Sequence, residues 1–146
     1  MNTTTPPPRY ETRAATDYLN ILLHLPPTGQ DWSLEASNAA RLREFCDLYE
    51  NGRLDAETKF ALMCLIIASL EDLINGNATA EGTEETIQRV KRLLRQDFLL
   101  HLHTLDYWCL HDEADPENVF APTVMLRRIW QDCWKPEYQQ WIENSF

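Results

Sequence analysis

The sequence predicts an all-α fold, a single-domain bundle of about six helices around a buried central helix. Apolar residues recur at helical spacing in segments that end at proline or glycine, and no segment alternates as a strand does. Residues 60–70 carry no charge and only one hydroxyl, that of Ser69. A helix over 54–76 should therefore be surrounded by the others.

The chain before the central helix divides into a tail and two helices. Residues 1–9 are rich in Thr and Pro and are expected to be disordered or loosely extended, and residues 10–146 to form one helical domain. A first helix is predicted over 11–25, where Pro26-Pro27 ends it. Its apolar side consists of Ala14, Tyr18, Ile21, Leu22 and Leu25. A second helix starts at Asp31 or Ser33 and reaches about Tyr49, with a stripe of Leu42, Phe45, Cys46 and Tyr49.

The central helix and the following one show clear end signals. Asp55 is expected to cap the central helix, and Gly76 to end it in the left-handed conformation. After a polar loop, Thr83 should cap a long helix that reaches His111 if unbroken, with a bend plausible near Asp97. Short helices beginning at Pro122 and Pro136 complete the fold.

Composition narrows the classes of partner. The 146 residues suit one hydrophobic core, and 13 Lys+Arg against 23 Asp+Glu give a net charge of −10. This charge disfavours nucleic acid and anionic membranes and favours a basic protein partner. Four isolated cysteines, the absence of a secretory signal and an uncharged run too short for a membrane span indicate a reduced cytoplasmic protein.

The uneven distribution of charge is the most informative feature. Residues 60–88 and 96–126 contain acidic residues but neither Lys nor Arg, and a basic stretch, 89–95, lies between them. We interpret the carboxylates as a docking surface for the Lys and Arg side chains of a partner. The alternative is an ordinary solvated acidic surface. The basic stretch is predicted to be a solvated helix face with a Glu85–Arg89 pair, not a nucleic-acid contact.

Catalytic and metal sites find little support. His101 and His103 would point about 200° apart on a helix, which prevents them from sharing one ion, and no nucleophile motif is present. We expect no enzyme activity, no cofactor and no metal site. A metal protein using His101, His103, Asp106 and His111 is kept as a distant alternative.

The last two helices carry more aromatic surface, including Trp130 and Trp134, than a small core hides, so part of it should serve a partner or a homodimer contact.

Two segments carry a resemblance to known proteins. One is LDAETKFALM at 54–63 with LIIASLED at 65–72, and the other is Asp97-Phe98 and Leu100-His101 with TLDYW at 104–108. Together they resemble small acidic all-helical immunity proteins that bacteria carry beside polymorphic or contact-dependent toxins. The resemblance implies tight binding of a cognate toxin, often over its active site, and no chemistry of its own.

These observations give an expected function and an expected surface. The protein should neutralise a basic toxin through its acidic surface, and the alternative is an adaptor or chaperone that binds a secreted protein without inhibiting it. The predicted partner-binding residues are Glu71, Asp72, Asp112, Glu113, Asp115, Glu117, Trp130 and Trp134.

Overall fold

The protein folds into helices, as the sequence predicts. The structure is a computed structural model, and it describes residues 5–76 and 82–143. Within these ranges the chain forms eight α-helices and three short 3-10 turns, with no strand. The helices are α1 (Arg13–Leu23), α2 (Trp32–Ala36), α3 (Leu42–Asn51), α4 (Ala56–Asn75), α5 (Thr83–Gln96), α6 (Leu102–Cys109), α7 (Thr123–Cys133) and α8 (Gln139–Glu143). The turns are Ala39–Arg41, Pro116–Asn118 and Pro136–Tyr138.

The central helix is α4, and it is buried as predicted. It packs against α1, α2 and α3, and every residue of 60–70 is buried except Cys64, which is partly buried. The Asp55 carboxylate caps it by accepting the Thr58 N–H at 2.8 Å. Gly76 does end the helix, but its φ of −78° is not left-handed, so that part of the prediction is wrong. No helix in the described ranges is long and apolar enough to cross a bilayer.

The second predicted helix is divided into α2 and α3. The helix is interrupted at Ser37 and Asn38. There the Asn38 N–H donates to the Ser69 hydroxyl of α4 at 3.0 Å. A bond from the backbone to another helix replaces the intrahelical bond at this point. The stripe predicted for α3 is confirmed, since Leu42, Phe45, Cys46 and Tyr49 are all buried.

The long predicted helix is divided into α5 and α6. Residues 97–101 form turns, so the break falls at the residue where the sequence allows a bend. The Tyr49 hydroxyl lies 2.7 Å from Asp97 Oδ2 and 2.7 Å from His101 Nε2, which joins both ends of the break to α3. Gly82, not Thr83, is the N-cap of α5, with a φ of 88°.

Most of the apolar side predicted for the first helix faces outward, which corrects the sequence interpretation, and of its residues Leu25 packs against the core. Ala15, Leu19 and Leu23 face the core, whereas Tyr18, Ile21 and Leu22 are 49%, 73% and 39% exposed. The predicted stripe exists, but α1 carries a second one beside it, and the second faces α4.

The N-terminal segment is irregular in the part that is described. Residues 5–9 have no helix or strand, yet Pro7 is buried and the Arg9 guanidinium donates to the Trp141 carbonyl at 2.8 Å. Residues 1–4 and 77–81, with most of the predicted polar loop, lie outside the described residues.

Candidate functional site

The connection between α6 and α7 carries most of the predicted carboxylates. We call residues 110–118 the acidic turn. Helix α6 ends at Cys109, and Leu110 adopts the left-handed conformation with a φ of 45°. The Glu113 N–H then donates to the Leu110 carbonyl at 2.9 Å, and Pro116 opens a 3-10 turn. The reversal directs the chain back along α7, which packs on α6.

A pocket of about 410 Å³ opens beside the acidic turn. Its lining is formed by Asp106, Tyr107, Leu110, His111, Asp112 and Glu113. His111 Nε2 lies 3.4 Å from Asp106 Oδ1, and burial raises the pKa of that carboxyl. The pocket thus combines three carboxylates with an imidazole and the ring of Tyr107, which is 61% exposed. A positively charged side chain is the group that such a lining would accept.

The predicted carboxylates form no ion pairs with the described residues of the chain. In the described part of the chain, no ion pair uses Glu71, Asp72, Asp112, Glu113, Asp115 or Glu117. Within the acidic turn, backbone N–H groups donate to two of them. The Asp115 N–H lies 3.2 Å from Glu113 Oε2, and the Glu117 N–H lies 2.9 Å from Asp115 Oδ1. Their negative charge therefore remains available to a partner.

The arginines of the basic stretch are paired with carboxylates of other helices. Arg89 binds Asp47 of α3 at 2.6 Å and also binds Glu50, and Arg95 binds Asp132 of α7 at 2.9 Å. The predicted Glu85–Arg89 pair is therefore not the one that the structure forms. This stretch links α5 to α3 and α7, while Arg92 and Arg95 remain exposed as a solvated helix face would.

Glu71 and Asp72 lie near the C-terminal end of α4 and do not line the pocket. Asp72 is exposed and accepts the Ser37 hydroxyl at 2.5 Å. Glu71 is partly buried, and burial and the charge of Asp72 both raise its pKa. The structure gives these two residues surroundings of their own, apart from the pocket.

Trp130 and Trp134 are joined to the pocket through His111. Their rings stack with centroids 5.0 Å apart and an interplanar angle of 14°, and the His111 ring lies 4.6 Å from that of Trp130. Both tryptophans are partly buried, whereas Tyr138 and Trp141 are buried. Tyr138, in the last 3-10 turn, and Trp141, in α8, therefore belong to the core, and the aromatic surface expected for a partner is left to Trp130 and Trp134.

The histidines do not form a shared metal site. His101 is buried against Tyr49 and Phe60, and His111 contacts Asp106 and Trp130. Burial lowers the pKa of His103 to about 4, and its Nε2 has no hydrogen-bond partner. Over the described residues, no group of three or more His, Cys, Asp or Glu side chains could hold a metal ion.

Comparison with protein-family models, with curated proteins and with solved structures gave no match.

Sequence reasoning missed three features of the site. Asp106 lies in the acidic window, but the sequence suggests it only as a ligand of the alternative metal site, and it gives Tyr107 no role at the docking surface. His111 was considered only as a metal ligand. The left-handed Leu110, which turns the chain and places Asp112 and Glu113 beside Asp106, has no signal in the sequence, because leucine rarely adopts this conformation.

Proposed function

We propose that this protein binds and neutralises a basic toxin in the cytoplasm and performs no catalysis of its own. One observation carries the proposal. Asp112 and Glu113 line a pocket, and none of the ion pairs among the described residues involves either carboxylate. Arg89 and Arg95 pair with carboxylates of other helices, and Arg127 donates to backbone carbonyls of the acidic turn.

The physical argument concerns what a partner gains at this surface. An arginine or lysine entering the pocket can form charge-assisted hydrogen bonds without first displacing an internal cation from Asp112 or Glu113. The net charge of −10 raises the rate at which a basic partner is encountered. Tyr107 and the stacked pair Trp130–Trp134 add aromatic surface of the kind that dominates binding energy at interfaces.

An adaptor role is the second candidate, and the outward stripe of α1 favours it. Tyr18, Ile21 and Leu22 form an exposed apolar surface on a helix whose other side is in the core. An adaptor or chaperone would use such a surface to hold a segment of a secreted protein. It would leave the enzymatic activity of that protein intact, whereas an inhibitor would suppress it.

The test is co-expression with the product of the adjacent gene. We expect the wild-type protein to protect cells from that product and to co-purify with it. The double variant Asp112→Asn, Glu113→Gln should lose most of this protection because it removes two charges from the pocket. The double variant Glu84→Gln, Glu85→Gln, which also removes two charges but from exposed carboxylates of α5, is the matched control and should protect fully.

Two results would count against the proposal. Cells that remain unprotected, with no co-purification, would show that the pair does not interact. Co-purification with a fully active partner would favour the adaptor role instead.

A further inference from the structure

The guanidinium of Arg127 lies against the backbone of the acidic turn. Its Nε donates to the Cys109 carbonyl at 2.6 Å, and its Nη2 donates to the carbonyls of Leu110 at 2.5 Å and Glu113 at 2.9 Å. These three acceptors span the end of α6, the left-handed residue and the middle of the turn. One side chain of α7 thus fixes the three points that define the path of the chain.

The chemistry of these contacts is unusual for an arginine beside so many carboxylates. Arginine ordinarily pairs with a carboxylate in a bidentate manner. Arg127 instead donates to backbone carbonyls, and it takes part in none of the ion pairs seen in the described residues. It holds the turn in place without neutralising Asp112 or Glu113.

The turn needs such support. Leu110 has a φ of 45°, a conformation that is unfavourable for leucine and persists only where surrounding contacts impose it. The carbonyls at the end of a helix also lack intrahelical partners. Arg127 satisfies two of them, while the Thr123 hydroxyl satisfies the Trp108 carbonyl at 2.8 Å.

We propose that Arg127 is a positioning residue for the docking surface, holding the pocket carboxylates Asp112 and Glu113 where they meet a guanidinium or ammonium group of the partner. This inference rests on the proposed function. It places the role in the geometry of the guanidinium, because lysine could supply the charge but not the fixed fork that reaches three carbonyls.

The test uses two effects of Arg127 on binding that have opposite signs, the effect of its charge and the effect of its positioning role. Removing the charge with Arg127→Gln makes the protein more negative, so electrostatic attraction alone predicts tighter binding of a basic probe. Loss of positioning predicts weaker binding. Arg128→Gln is the matched control, since it removes the same charge from the neighbouring residue of α7, whose side chain is 74% exposed and lies near Asp132.

The probe is a hexa-arginine peptide, titrated calorimetrically at low ionic strength into the full-length protein. We expect both Arg127→Gln and Arg127→Lys to weaken binding at least about fivefold, because the turn that carries the carboxylates loosens. Arg128→Gln should bind as tightly as the wild type or tighter. Amide exchange at Glu113, whose N–H is bonded to the Leu110 carbonyl, should accelerate in the Arg127 variants only. If Arg127→Gln does not fold, Arg127→Lys decides the matter, because it preserves the charge.

The outcomes separate this inference from the function beneath it. Unchanged or tighter binding by the Arg127 variants, with weaker binding by Asp112→Asn, Glu113→Gln, would overturn the positioning role alone. A wild-type protein that does not bind the peptide, or binds it equally well without those two carboxylates, would overturn the docking function and this inference with it.

Discussion

At the scale of single residues, the contact of Tyr49 with Asp97 and His101 fixes where protons lie. The tyrosine hydroxyl has one hydrogen, which it donates to Asp97 Oδ2 at 2.7 Å. The oxygen of Tyr49 must then accept from His101, so the imidazole carries its proton on Nε2. Nδ1 of His101 is buried without a partner, which suits a neutral ring. Burial lowers the pKa of His101 to about 3, and the charge of Lys59 contributes to that decrease.

This lowered pKa makes stability depend on pH. Below the ordinary value of 6.5, the unfolded chain protonates His101 while the folded protein does not until about pH 3, so acid favours unfolding. We expect the free energy of unfolding to decrease as pH falls through this window, and His101 to contribute about 1.4 kcal/mol per pH unit to the slope. The measurement is urea denaturation at several pH values, with His101→Gln as the reference. An equally steep decrease in that variant would show that His101 is not the source.

Two glycines give a matched pair of substitutions. Gly82 has a φ of 88°, and an added Cβ would also displace the Arg43 guanidinium, so Gly82→Ala should cost about 1–2 kcal/mol. Gly76 has an ordinary φ of −78°, and Gly76→Ala should be neutral or slightly stabilising, within about 1 kcal/mol. Thermal unfolding of both variants checks this. A large loss of stability in Gly76→Ala would indicate that Gly76 ends the helix in the left-handed conformation, as the sequence predicts.

At the scale of helices, α1 shows what a periodic pattern leaves undecided. Apolar residues cover roughly 200° of its circumference at 3.6 residues per turn, so two adjacent stripes compete for the core. Leu19, fully buried, belongs to the stripe that faces the core, while Ile21 belongs to the outward one. Packing against α4 determines which of the two stripes is buried, and the sequence of α1 alone does not contain this information.

The two stripes can be distinguished by mutation. Leu19→Ala should cost about 2–5 kcal/mol, because it removes buried methyl groups and leaves a cavity. Ile21→Ala, on the exposed stripe, should change stability by no more than about 0.5 kcal/mol. Chemical denaturation of the two variants measures both. Comparable losses would mean that the outward stripe is covered in solution.

The helix boundaries fall into two groups, those set by neighbours in the sequence and those set by contacts with other helices. The Asp55 cap and the buried stripe of α3 were predictable because they depend on neighbours in sequence. The break at Asn38 was not predicted, since it depends on a bond to Ser69 on another helix. A bend near Asp97 was predicted, but the bond from Tyr49 that holds this break is not visible in the sequence. For the site, the sequence supplied Asp112, Glu113 and Trp130. It could not supply the left-handed Leu110 or the Arg127 contacts that bring the turn to the pocket.

At the scale of the whole molecule, the charged residues that join the helices are distinct from the carboxylates of the acidic turn. The core is built around α4, and arginines of α5 form ion pairs with carboxylates of α3 and α7. Arg127 of α7 holds the acidic turn by donating to its backbone carbonyls. Among the described residues, no ion pair neutralises the carboxylates of that turn.

The most direct measurement is hydrogen exchange of the complex with the product of the adjacent gene. We expect slower exchange across α6 and the acidic turn, centred on the amides of Asp112 and Glu113, with little change along the outward stripe of α1. Protection confined to α1, with the acidic turn exchanging as in the free protein, would contradict this expectation.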